Sequence, residues 1–151
     1  PPWAQLDPED EEPYAPIPTA VPALRHARVV SVAAGPSHSL AVAADGRAFG
    51  WGLASHGRLG LGNPPLHIDD DGDAFAAEPL PIHSLAGAGA RAVAAGAAHA
   101  LCLMDGGQLY VWGAARAGRL GFDEGALRMP VNEADETAYQ PLPRQLWVSD
   151  A

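Results

Sequence analysis

Short apolar segments, each bounded by glycine or by polar turn residues, recur along most of the chain. The segments 27–34 and 38–43 have the length of ordinary β-strands and end before turn-forming residues. In the second segment, alternation places His38, Leu40 and Val42 on one face and the intervening small residues on the other. The pattern predicts β-strands rather than helices.

A third strand, residues 47–52, follows at once. It is separated from the second by Asp45-Gly46, a dipeptide typical of a tight hairpin turn. Phe49 and Trp51 fall on one face of this strand because their positions differ by two. Consecutive strands joined by such short turns are antiparallel.

The same pattern returns 61 residues later. Residues 32–60 align without a gap on residues 93–121, and 14 of the 29 aligned positions are identical. The motif that recurs in register consists of Gly35, His38, Trp51, Gly52, Gly57, Gly60, Gly96, His99, Trp112, Gly113, Gly118 and Gly121. Recurrence at a fixed period predicts a structural role for these residues in a repeated unit.

A Pro-x-Pro tripeptide provides a second marker of the period. It occurs at residues 16–18, 79–81 and 141–143. Because proline has no backbone N–H, two prolines on the same side of a strand fit only at a free sheet edge. We expect this strand to be the first of four in each unit and to line a central axis.

These markers divide the chain into four parts. Residues 1–14 form an acidic, proline-rich segment that we expect to be an extended, mobile linker. Residues 15–77 and 78–138 are two complete repeats, and residues 139–151 contain the opening strand of a third. Repeated four-stranded antiparallel units are typical of a β-propeller. The predicted fold is therefore all-β, a propeller section of two blades plus one strand, which needs further blades or another chain to close.

Composition and charge restrict the partners and the compartment. The chain has 18 acidic residues, nine basic residues and a net charge of −9, which disfavours direct binding to nucleic acid. No apolar run is long enough to cross a bilayer. The single cysteine, Cys102, allows no internal disulfide and fits a reducing compartment, so we expect a cytoplasmic or nuclear protein. The chain begins with proline, and we expect a fragment or a processed product.

Histidine and tryptophan are the first candidates for chemistry. His38 and His99 lack an Asp, Ser or Cys at a fixed spacing that would complete a catalytic triad. We expect both to bond backbone groups of their own blades, and Trp51 and Trp112 to serve blade packing rather than ligand stacking. The sequence thus predicts no catalytic residue and no cofactor.

An acidic run interrupts the first repeat at Asp69, Asp70, Asp71 and Asp73. A calcium-binding loop that starts at Asp69 would require glycine and glutamate where the chain has Ala74 and Leu80, so we expect no metal site. We interpret the run as a solvated loop that is available to a protein partner.

Two further features are candidates for partner binding. The loops 66–77 and 122–138 are where the two repeats differ most, and loops on a rigid scaffold usually carry specificity. Arg58 and Arg119, in the two Gly-Arg-Leu-Gly turns, project either to a partner or to a neighbouring carboxylate.

The motif V-x-x-V-A-A-G-x-x-H-S-L-A-V-x-x-D-G-R-x-F-x-W-G-x-x-x-x-G-R-L-G-L-G resembles the repeat of the regulator of chromosome condensation family, over about residues 15–148. The resemblance implies a seven-bladed parent propeller and loops that bind another protein. We therefore expect a non-enzymatic protein-interaction module. The alternatives are a guanine-nucleotide exchange factor for a small GTPase and the substrate-receptor part of a ubiquitin ligase. A photoreceptor role is disfavoured because only Trp3 and Trp147 lie outside the Trp-Gly turns.

Overall fold

The computed structural model describes residues 5–6, 13–122 and 129–147. The strands are β1 Gln5–Leu6, β2 Pro13–Tyr14, β3 Val29–Ala34, β4 His38–Ala43, β5 Ala48–Leu53, β6 His67–Ile68, β7 Ala74–Pro81, β8 Ala90–Ala95, β9 His99–Met104, β10 Leu109–Ala114 and β11 Tyr139–Leu146. The helical segments between them are short 3-10 turns, among them Ser55–Gly57 and Arg116–Gly118. Within these ranges, no helix has the length and hydropathy needed to cross a membrane.

Two antiparallel sheets form the body of the molecule and confirm the all-β propeller section. The first blade has the strand order β3-β4-β5-β7-β6 and the second has the order β8-β9-β10-β11. The hairpin turn between β4 and β5 depends on Gly46, whose φ of 84° is in the left-handed region, and Gly107 has a φ of 83° at the equivalent turn. The register also confirms the predicted faces, since Ala34, Ser39 and Trp51 lie opposite one another across three strands.

The sheets are offset from the sequence repeats. Strand β7, which carries the Pro-x-Pro tripeptide 79–81, pairs with β5 of the preceding repeat, and β11 pairs with β10 in the same way. The proline-containing strand therefore completes the blade that precedes it. The prediction that it is the first strand of its own blade is wrong. The earlier tripeptide, at 16–18, lies outside the strands that the structure describes.

The Pro-x-Pro strands do lie at sheet edges, as predicted, but at the opposite edge from the one expected. Strands β3 and β8 of the two blades pack directly against each other, so these strands converge toward the axis. On the far side, β11 is the edge strand of the second sheet. In the first sheet β6 lies outside β7, but it pairs only with Ala74 and Phe75, which leaves the tripeptide 79–81 itself at a free edge. Prolines are tolerated at such an edge because no neighbouring strand needs their missing N–H groups.

The segment predicted as a linker contains a short ladder. Gln5 pairs with Tyr14 and Leu6 pairs with Pro13 in an antiparallel bridge. The interpretation of residues 1–14 as an extended, mobile linker stays a prediction, and residues 1–4 and 7–12 lie outside the described residues. The repeat boundaries themselves remain a prediction.

The main hydrophobic core lies between the blades. Leu40 and Val42 of β4 are fully buried against Cys102 and Met104 of β9 and against Trp112 of β10. Burial raises the pKa of the Cys102 thiol to about 11, so the thiol stays protonated at neutral pH. A core shared by two blades makes them one rigid unit that positions the loops at its ends.

Candidate functional site: the groove between the blades

Trp112 connects the two blades through the Gly-Arg-Leu-Gly turn of the first repeat. Its indole is fully buried, and its Nε1 donates a hydrogen bond of 2.9 Å to the carbonyl oxygen of Arg58. A Cβ on Gly60 would lie 2.8 Å from that same Nε1, so only glycine leaves room for the indole. We call this contact the indole lock; it places Trp112 in the packing of the two blades.

Arg58 lies inside this interface rather than on a partner surface. Its side chain is buried, and Nη1 donates to Ser37 Oγ at 2.7 Å and to the Ala97 carbonyl of the second blade at 3.3 Å. Nε and Nη2 donate to the carbonyl and hydroxyl of Ser55. Burial lowers the pKa of the guanidinium, and the charge of Asp73 opposes that shift. Partner binding by Arg58 would require these hydrogen bonds to break, because its donors are engaged inside the interface.

The histidines fill spaces left by glycines. A Cβ on Gly35 would lie 2.5 Å from Cε1 of His38, and a Cβ on Gly96 would collide with the ring of His99. His38 does not form the predicted bonds to backbone groups, since neither of its ring nitrogens has a hydrogen-bond partner among the described residues, and Nδ1 of His99 also lacks one there. Burial, reinforced by Arg58 and His99, lowers the pKa of His38 to about 4. The ring is thus a neutral packing group at pH 7.

The second Gly-Arg-Leu-Gly turn repeats the backbone of the first. Arg119 Nε donates to the Arg116 carbonyl at 2.7 Å, as Arg58 does to Ser55. Unlike Arg58, Arg119 is exposed, because no described blade lies against its turn. Gly118 and Gly121 keep the positive φ angles of Gly57 and Gly60. Partner binding by Arg119 stays a prediction. The side chain is exposed and therefore accessible to a partner.

The acidic run forms the tip of the β6–β7 hairpin. The Asp69 carboxylate accepts hydrogen bonds from the backbone N–H groups of Asp71 and Asp73 at 3.0 and 2.8 Å, which closes the turn. All four carboxylates of the run, at Asp69, Asp70, Asp71 and Asp73, are on exposed residues. Asp69 thus stabilises the turn. Asp70 and Asp71 are exposed to solvent, and Asp73 lines the neighbouring groove.

That groove, which we call the inter-blade groove, joins the two variable loops. It has a volume of about 910 Å³ and is lined by residues 54–57, 59–64, 66 and 72–74 of the first blade and by residues 131–134, 139 and 141–142 of the second. The described part of the 122–138 loop therefore lies beside the acidic hairpin, while residues 123–128 lie outside the described residues. Asp73 and Glu133 supply carboxylates from opposite sides of the groove.

His56 and Asp135 hold the two walls of the groove together. His56 Nε2 and Asp135 Oδ2 lie 2.7 Å apart, and the backbone N–H of Thr137 donates to the other carboxylate oxygen at 3.0 Å. The Thr137 N–H first, and then His56, hold the pKa of the Asp135 carboxyl below its usual value. The sequence analysis missed this pair for two reasons. His56 is not part of the repeated motif, since the aligned residue of the second repeat is Ala117, and no local pattern connects residues that lie 79 positions apart.

The comparisons with known proteins agree with this architecture. Models of the regulator of chromosome condensation (RCC1) repeat match residues 29–58 and 90–119, and, in a second form, residues 45–103. The chain belongs to this repeat family, and its two sheets are blades of the family's propeller.

The individual proteins that the chain is similar to have different names and roles. The chain is 42% identical over 118 residues to the bovine secretion-regulating guanine nucleotide exchange factor, covering 76% of this chain and 24% of that protein. It is 38% identical over 109 residues to the human "Probable E3 ubiquitin-protein ligase HERC3", covering 72% and 10%. The crystal structure of Prp20p from Saccharomyces cerevisiae, a protein with binding properties to Gsp1p and histones, superposes with a TM-score of 0.69 at 24% identity, covering 97% of this chain and 32% of that one. The chain thus spans less than a third of the relatives described here.

Proposed function

We propose that the chain is a non-enzymatic protein-interaction module that binds a basic segment of a protein partner in the inter-blade groove. The observation that carries the proposal is the meeting of the two repeat-breaking loops at one groove with carboxylates on both walls. The repeated residues of the blades form the core. A partner would therefore recognise the loops 66–77 and 122–138, which differ between the repeats.

The charges of the groove favour a cationic ligand. Asp73 and Glu133 line it, and no arginine side chain is among its described lining residues. The nearest arginine, Arg58, lies behind the wall with its donors used inside the interface. The charge of Asp73 acts on the buried Arg58, but neither Asp73 nor Glu133 forms an ion pair within the described residues. Carboxylates in a concave site attract arginine or lysine more strongly than the same groups on an open surface.

The rigidity of the scaffold supports the same function. The shared core and the His56–Asp135 pair fix both walls before a partner arrives. A preformed groove loses little conformational entropy on binding, so even a short peptide segment can be held specifically. Protein recognition is also the property that an exchange factor and a ubiquitin ligase among the relatives have in common. We take that property, rather than either reaction, as the function of this chain, in the cytoplasm or the nucleus.

The test uses a labelled nona-arginine peptide and fluorescence anisotropy at moderate salt. The double variant Asp73→Asn, Glu133→Gln is expected to bind the peptide about tenfold more weakly than the wild-type chain, because it removes both groove charges with little change of shape. A nona-glutamate peptide serves as the negative probe.

The matched control is the double variant Asp45→Asn, Asp105→Asn. It makes the same change in net charge, but its positions lie at the β4–β5 and β9–β10 hairpin turns, outside the groove. We expect its affinity to stay within about twofold of wild type. Equal losses in both variants would show that only overall charge attracts the peptide, and no loss in the groove variant would remove the groove from the binding site.

A further inference from the structure

The inter-blade groove has an apolar end in addition to its carboxylates. Leu61, Pro141 and Leu142 line it where strand β11 meets the turn 57–62. The Gly62 N–H donates to the Pro141 carbonyl at 3.1 Å, and a Cβ on Gly62 would lie 3.1 Å from Cδ2 of Leu142. The two walls therefore meet closely at this end, and Leu142 lies directly over the turn.

Two large apolar side chains of the groove remain open to a ligand. Leu142 is 43% exposed and Val131, on the same wall, is 52% exposed. Both walls of the groove belong to described blades, so this exposure is a property of the groove itself. Apolar side chains in a concave site favour apolar groups of a ligand, because water leaves both surfaces on contact.

The carboxylates lie toward the other end of the groove. Glu133 is two residues beyond Val131, in the direction of its loop tip, and Asp73 is at the tip of the β6–β7 hairpin on the facing wall. Val131 pairs with Ala138, and Leu142 follows Ala138 by four residues in the opposite direction. At about 3.3 Å per extended residue, roughly 13–20 Å separate Leu142 from the carboxylates.

The two ends favour different chemical groups. A cation placed over Leu142 would lose its hydration without gaining a partner, and an apolar side chain between the carboxylates would displace their water without offering a hydrogen bond. A groove of about 910 Å³ has room for a peptide segment rather than for a single side chain. A ligand that uses the whole groove therefore carries both kinds of group.

We infer that the groove binds an extended protein segment that carries a bulky apolar side chain about four to six residues from its basic residues. The basic residues lie between Asp73 and Glu133, and the apolar side chain packs on Leu142. The inference rests on the function proposed above and adds a second determinant of the ligand. Its partner class is an amphipathic segment of a protein, rather than any polycation.

Three labelled peptides of equal charge test this inference by fluorescence anisotropy on the full chain. The first is Arg-Arg-Arg-Gly-Gly-Gly-Gly-Leu, the second has glycine in place of the leucine, and the third has the leucine directly after the arginines. The first peptide is expected to bind about tenfold more tightly than the second, because its leucine reaches Leu142. The third has the same composition as the first but the wrong spacing, and it is expected to bind like the second.

Leu142→Asn shows where the leucine binds. This variant is expected to bind all three peptides as the wild-type chain binds the second, since the charges of the groove are unchanged. The matched control is Ile68→Asn, at an apolar position that is 63% exposed but does not line the groove. It is expected to keep the full preference for the first peptide.

The outcomes separate this inference from the function on which it rests. Equal affinity of the wild-type chain for the three peptides, or a preference that survives in Leu142→Asn, would overturn the inference. In either case weaker binding of all three peptides to the double variant Asp73→Asn, Glu133→Gln would leave the basic-segment function intact. If that double variant binds the peptides as tightly as the wild-type chain does, the proposed function fails and the inference fails with it.

Discussion

Replacement of Trp112 by alanine is expected to lower the free energy of unfolding by about 3–5 kcal/mol, a large part of the stability of a domain of this size. The indole is fully buried between the two blades, so its removal leaves a cavity that the surrounding β-sheets cannot close. It also leaves the Arg58 carbonyl without the donor that it has in the wild-type chain. Urea denaturation followed by circular dichroism measures the difference.

Trp51→Ala is the matched control for this prediction. Trp51 occupies the same place in the motif, but it is only half-buried and faces an open groove. Its loss is expected to cost about 1–2 kcal/mol, because less apolar area returns to water. Equal losses for both variants would mean that the tryptophans stabilise each blade separately and that the indole lock does not join the blades.

Gly113→Ala is expected to destabilise the chain by about 3 kcal/mol or more. Gly113 has a φ of 100°, and a Cβ there would collide with the carbonyl oxygen of Ala98 and with Cα of His99. Both are backbone atoms of the neighbouring strand, which cannot yield without breaking the β9–β10 ladder. Thermal unfolding monitored by circular dichroism measures the loss.

Gly107→Ala separates the two causes of that loss. Gly107 also has a positive φ, 83°, but a Cβ there would have no atom within 4 Å. Its replacement is expected to cost about 1 kcal/mol, from backbone strain alone. If the two variants lose the same stability, strain accounts for both effects and the close approach of β9 and β10 at Gly113 is not required.

Local pattern was enough to predict the blades but not how they are completed. The alternation that places Leu40 and Val42 on one face, and the turn at Gly46, are properties of neighbouring residues, and both are confirmed. The pairing of β7 with the preceding repeat is not a local property. It depends on which edge of the three-stranded sheet β3-β4-β5 accepts a further strand. The repeat period alone does not say which edge that is.

The same limit applies to the candidate site. The two loops were found because they break the repeat, and the structure places the described parts of both at one groove. The role of Arg58 stayed open because its partners, Ser37 and Ala97, lie 21 and 39 residues away and become neighbours only when the blades pack. The His56–Asp135 pair depends on the same packing and on a single residue that differs between the repeats.

Hydrogen exchange of the two indole N–H groups, followed by NMR on the full chain, tests most directly whether the blades form one locked unit. The Trp112 N–H is buried and bonded to the Arg58 carbonyl, so it is expected to exchange only when the molecule unfolds globally. The Trp51 N–H, beside an open groove, is expected to exchange at least about a hundredfold faster in dilute solution, because local opening suffices. Similar rates for both indoles would contradict the indole lock and, with it, the rigid groove between the blades.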